Sequence, residues 1–243
     1  MQIHKFTYPN SVLDALPKEQ LSAFLLLGLF LNEANWLQKL LLISTLDETG
    51  NEAEKQARLA LSLMLSKLLA AKIHEGWNRI RCNPLKDALP SNDKTQQIRS
   101  QLEQRLAKDS VIHKVRAQHA FHYPNTLSLN GLPAISQSDV ALFMTHHSGD
   151  TLSLISELSA AAGLMAIGNA STVAEALDGV LKEVVAVAGI YCEYLSETLA
   201  NFVGEVIQSS AAADVIDNDD APTLDLVRLR FFAAPPASSA IKN

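Results

Sequence analysis

The sequence predicts an all-α fold, a bundle of about five to seven helices with a small β addition. Three observations point there. The chain has 243 residues, 48% of them hydrophobic but only 6% aromatic, so its apolar mass is mostly Leu and Ala, good helix formers. Two long stretches near the N-terminus carry apolar residues at helical spacing and are joined by a short turn. Segments with strand character are few.

Pro17 stands in the first turn of the first long helix, where its missing N–H costs nothing. That helix runs to about Leu46 through Leu21, Phe24, Leu25, Leu29, Trp36, Leu37, Leu40 and Ile43. Its apolar face is broad enough for a central place, and Trp36 and Trp77 are expected in the core. Asp47-Glu48-Thr49-Gly50-Asn51 forms a turn, and Asn51 with Glu54 resembles a capping arrangement. A second helix follows over about Glu52–Arg81, and so short a link predicts antiparallel packing. Pro84, Pro90 and Ser91-Asn92-Asp93 interrupt the chain before a thinner helix around Lys94–Ala107. Asp109 or Ser110 caps a short helix, about Val111–His122, which Tyr123-Pro124-Asn125 ends. Residues 124–138 read as a loop, and 139–145 as the one strand in the middle of the chain. Helix resumes from Asp150 to about Ile167, then from Ser171 to about Gln208. Residues 1–210 thus form one helical domain, and 211–243 an acidic, mixed tail with a candidate strand at Thr223–Phe232.

Charge is unevenly spread. Residues 55–116 hold 13 Lys and Arg against five Asp and Glu, while the whole chain carries a net charge of −6. A basic middle third permits an RNA partner, although helix faces solvated by charge have the same signature. Cys82 and Cys192 are far apart and outside any CxxC motif, which fits a reducing, cytoplasmic location. The charge-free run Gln20–Asn32 and the segment Leu158–Ala174 are both too short and weakly apolar to span a bilayer, so no membrane partner is expected.

Phosphate-binding loops, dinucleotide fingerprints, the serine-hydrolase elbow and zincin motifs are all missing. His74-Glu75 starts like a zincin, but position 78 is Asn. His146-His147-Ser148-Gly149-Asp150 reads as a turn, without further ligands at standard spacing, so no metal and no cofactor are expected. The segment Ile112–Pro124 is different, with Lys114, Arg116, His113, His119, His122 and Tyr123 in one short helix. At about 100° per residue, Arg116, His119 and Tyr123 share a face and His122 lies to one side. A His near neutrality can move the proton of a ribose 2′-OH, and an Arg can hold the phosphate and the charge growing on it. Spacing alone favours a polar helix end whose histidines cap carbonyls or pair with acidic regions.

Arg116-x5-His122, placed after two long antiparallel helices, resembles the R-x4–6-H motif of the HEPN superfamily. The string VRAQHAFHYP and the Glu75-Gly76-Trp77 ending of the second helix are similar to its bacterial members. The resemblance covers about residues 18–123. It implies a helical homodimer and a metal-independent endoribonuclease, a toxin or phage-defence effector with a cognate antitoxin or regulatory protein. Arg116 and His122 would then be catalytic. His119 and Tyr123 are candidates to contact phosphate or base, and Glu75 to pair with Arg116 or orient His122, a surface pair with Arg79 four positions on being the alternative. Members commonly carry Asn or Asp after the Arg, and here Ala117 stands there. That departure favours the alternative, an inactive interaction or nucleotide-binding module of the same ancestry.

Overall fold

A computed structural model describes residues 2–46, 50–82, 85–120, 141–144, 151–207, 212–218 and 227. Three helices of similar length dominate it: α2 (Lys18–Leu46), α3 (Glu52–Ile80) and α9 (Val173–Phe202). Around them in chain order lie β1 (Gln2–Thr7), α1 (Asn10–Asp14), α4 (Leu85–Ala88), α5 (Asp93–Arg105) and α6 (Val111–Val115). A π-helical turn (Arg116–Ala120) continues α6, followed by β2 (Leu142–Met144), β3 (Thr151–Ser153), α7 (Leu154–Ala162) and α8 (Leu164–Gly168). A second π turn (Val203–Ile207) and β4 (Ala212–Asp217) come after α9. The chain is all-α with a small β addition, and no described helix is long and apolar enough to cross a membrane.

Local chemistry starts the helices where the sequence places them. The Asn51 side chain accepts from the Glu54 amide at 3.0 Å, and Asn92 and Thr95 form a reciprocal capping box at the head of α5. Thr172 caps α9 through the Glu175 amide. Contacts along α2 and α3 run in opposite directions, Ser44 meeting Ser62 and Glu33 meeting Lys72. The same holds for α9 on α2, where Cys192 faces Gln38 and Phe202 faces Phe24. The core fills the space between these helices with Leu27, Leu41, Leu69, Ile73, Trp77, Val184, Val187, Tyr191 and Leu195. Fully burying one such aliphatic side chain contributes roughly 1.5–3 kcal/mol.

Several expectations need correction. The 150–167 helix begins as strand β3, which pairs with β2, and it breaks at Gly163. Packing of Leu152 against Ala57 and Ala60 gives that hairpin its own small apolar contact with α3. The acidic stretch from Asp214 contains β4, which pairs antiparallel with β1 at the other end of the chain. The motif helix keeps α-geometry only over Val111–Val115 before widening into the π turn. Trp77 is buried as expected, edge-on to Tyr194, but Trp36 is 68% exposed. The candidate strand at 223–232, the loop at 124–138 and the turn at 146–150 lie outside the described residues, Val227 apart.

Part of the basic middle third is paired across helices. Lys67, Lys72, Lys94 and Arg105 pair with Glu157, Glu33, Glu197 and Glu183, all from the acidic flanking segments. Arg99 pairs with Glu103 within α5. Four of the thirteen cations of residues 55–116 are thus matched by carboxylates on neighbouring helices.

Helices α3 and α9 approach closely at Gly76. A Cβ added there would stand 2.1 Å from the Tyr191 Oη and 3.2 Å from its Cζ. Gly76→Ala should therefore destabilise the fold by about 1–3 kcal/mol, since a phenol buried in the core has little room to retreat. Gly179→Ala, on α9 with nothing within 4 Å of the new methyl, should instead stabilise by about 0.5–1 kcal/mol. Urea midpoints of the two variants, read by circular dichroism, check both signs.

Candidate functional site

Ser110 accepts from the His113 amide and starts α6. Ile112 and Val115 are fully buried and fix this short helix on α3. The next residue, Arg116, opens the π turn. Such turns are rare and often re-aim side chains at functional positions. Here Arg116 reaches across to α3, and its Nε donates to Glu75 Oε1 at 2.7 Å. Nη2 meets the same oxygen, so one carboxylate oxygen holds two N–H groups along one edge of the guanidinium. The pair is not sealed away, since the Arg116 and Glu75 side chains keep 34% and 47% of their exposure.

Beside this pair lies a polar chain that the sequence did not announce. His74 is buried on α3, its Nδ1 3.0 Å from Asn78 Nδ2 and its Nε2 2.9 Å from His113 Nδ1. Burial, helped by His113, Arg116 and Arg81 and opposed by Glu75, lowers the His74 pKa, so this ring is neutral. With the amide donating to Nδ1, His74 Nε2–H donates to His113, and the outer nitrogen of His113 carries its proton. His74 Nδ1 also stands 3.9 Å from Glu75 Oε1. Asn78, His74, His113, Glu75 and Arg116 thus form one cluster between α3 and α6.

His119 does not join it. The π turn delivers His119 to the other side, buried against Gly163, whose missing Cβ leaves room for the ring: a methyl there would stand 2.7 Å from Cε1. Lys67, the cation near it, pairs with Glu157 at 3.7 Å. Lys67 and Glu75 are eight positions apart on α3, about 12 Å along its axis. The shared face expected for Arg116 and His119 is thus lost because the wider turn splays the two side chains. Glu75 takes Arg116 as its partner, not Arg79 at the next turn. His122 and Tyr123 lie outside the described residues.

Chemically, the cluster offers a guanidinium fixed in orientation, a carboxylate that balances it, and an imidazole held by a second, neutral one. It can bind a phosphate or carboxylate oxygen at the exposed part of Arg116. Among the described residues, no three or more His, Cys, Asp or Glu are grouped to hold a metal ion. Cys82 is exposed, whereas burial pushes the Cys192 thiol up, away from the reactive thiolate form. No family model matches the chain, nor does any curated protein or solved structure.

His119, outside the cluster, gives the fold a measurable pH signature. Burial first, and Lys67 second, lower its pKa from 6.5 to about 4. Between these values the unfolded chain binds a proton that the folded chain refuses. Stability is therefore full above pH 6.5 and falls as the pH drops toward about 4. Replacing His119 with Gln should flatten this part of the stability–pH curve, as measured by urea unfolding at stepped pH. An unchanged slope would remove His119 as its source.

Proposed function

We propose that the chain is a metal-independent endoribonuclease of the HEPN type, acting on single-stranded or looped RNA. Arg116 holds the scissile phosphate and His122 serves as acid or base in attack by the 2′-OH, leaving a 2′,3′-cyclic phosphate. The observation that carries this reading is the Arg116–Glu75 pair. It fixes the orientation of a half-exposed guanidinium beside a hydrogen-bonded histidine pair. An arginine held in this way pays less ordering entropy when it meets a phosphate than one free in solvent. A toxin or defence role, kept in check by an antitoxin or regulatory protein, belongs to the same proposal.

One observation favours the second reading, an inactive interaction module. Glu75 already supplies an anion to Arg116, and Ala117 offers no polar group beside it. A phosphate must then share the guanidinium with a carboxylate, or displace it.

Cleavage of varied RNAs in EDTA separates the two. The endoribonuclease cuts with EDTA present, loses about 10²–10³-fold in Arg116→Ala, and loses all activity in His122→Ala with its helix content intact. If the native chain is silent, Ala117→Asn should restore cleavage. Inert native and Ala117→Asn proteins would leave the interaction module standing.

A further inference from the structure

A chain of hydrogen bonds runs outward from α3 and ends on His113. The Asn78 Nδ2 donates to His74 Nδ1 at 3.0 Å, and His74 Nε2 meets His113 Nδ1 at 2.9 Å. His74 is buried, and the Asn78 Oδ1 beside it is shielded from water without a partner among the described residues. A buried polar chain that leaves an oxygen unsatisfied does little for stability, so stability alone does not account for it. At its open end, His113 Nε2 has no described partner and is not shielded from solvent. In a neutral imidazole one nitrogen donates and the other accepts, so the bond at one fixes the other. With the amide as donor at the inner end, His113 Nε2 carries an outward N–H. Arg116 is its neighbour: the two are three positions apart, and the Arg116 amide donates to the His113 carbonyl. Their anchors on α3, His74 and Glu75, are consecutive residues.

We propose that His113 Nε2–H is a second contact for the phosphodiester oxygens held by Arg116, and that Asn78 and His74 position it by fixing its tautomer. This role for His113 rests on the phosphate reading of Arg116 above. A phosphodiester then receives one charged and one neutral donor from a single helical turn. Glu75 already occupies the Nε and Nη2 side of the guanidinium, whereas no described carboxylate pairs with His113. The neutral donor therefore adds a contact for which Glu75 does not compete. It also adds no charge where Arg116 and Arg81 already act on His74, opposed by Glu75.

A single-stranded oligodeoxynucleotide is the probe, since it presents phosphodiesters but has no 2′-OH through which to be cleaved. Fluorescence anisotropy at mildly alkaline pH, where free imidazole is neutral, reads its affinity, and ring nitrogen NMR shifts read the tautomers. His113→Asn keeps an amide near the Nδ1 position for His74 but has no outer N–H. It should weaken binding about ten-fold or more with helical circular dichroism unchanged, as loss of one hydrogen bond to a charged group does. His113→Gln, whose amide nitrogen reaches the Nε2 position, should restore most of that loss. Native His74 and His113 should both show the Nε2–H form. Asn78→Leu removes the amide donor, so both rings should exchange between two forms, and it should leave affinity unchanged when His113 is already Asn. The proposal is overturned by unaltered binding in His113→Asn, by Gln no better than Asn, by a native Nδ1–H form of His113, or by a native chain that does not bind the probe. RNA cleavage is read separately on the same variants. A chain that never cleaves RNA but follows this pattern loses the enzyme reading and keeps the role of His113. A chain that cleaves RNA while its binding ignores His113→Asn does the reverse.

Discussion

The structure depends on α3 meeting neighbours on almost every side. It must bury Leu69, Ile73, Trp77 and Ile80 against α2 and α9, and still seat α6 and the π turn. Gly76 makes this possible, since a side chain there would collide with Tyr191 of α9. One residue before it, Glu75 faces out to Arg116, and one before that, His74 is buried among polar partners. Within three consecutive residues α3 passes from a polar seam to its closest helix packing. The placement of Arg116 therefore follows from how the core is packed, because the helix that anchors it cannot shift without displacing Tyr191.

Electrostatics completes the bundle from the same centre. Two cations of α3 and two of α5, Lys67, Lys72, Lys94 and Arg105, find carboxylates on α2, α7 and α9, so part of the charge imbalance along the sequence becomes a set of contacts between helices. Exposed pairs of this kind contribute little stability each, about 0–1 kcal/mol, and serve mainly to favour one pairing of helices over others. The Arg116–Glu75 pair differs in its surroundings, because a neutral, buried His74 adjoins it and no further counter-charge from that ring is available.

The two long N-terminal helices and the cap of the second were legible in the sequence because those signals are local: Asn51 lies three residues from the amide it caps. The β1–β4 pair was not. Ile3 and Phe6 fall on opposite faces of β1, so no alternation shows, and the partner strand lies at the far end of the chain. Trp36 was misplaced because α2 is apolar around most of its circumference, and periodicity then identifies a helix without saying which face is covered. In the site, Glu75 and Arg116 were both visible as candidates, but the histidine chain was not. His74 looked like a broken metal motif because position 78 is Asn, and that Asn is its hydrogen-bond partner. Its other partner, His113, is brought close only by the packing of α6 on α3.

The central claim is that Glu75 acts through Arg116 at an anion-binding position set by α3. A double-mutant cycle on the affinity for single-stranded RNA, using Arg116→Ala, Glu75→Gln and both together, tests it most directly. The account predicts that Arg116→Ala removes most of the binding, and that Glu75→Gln changes affinity only while Arg116 is present. RNA affinity indifferent to Arg116→Ala, or effects of the two substitutions that simply add, would contradict it.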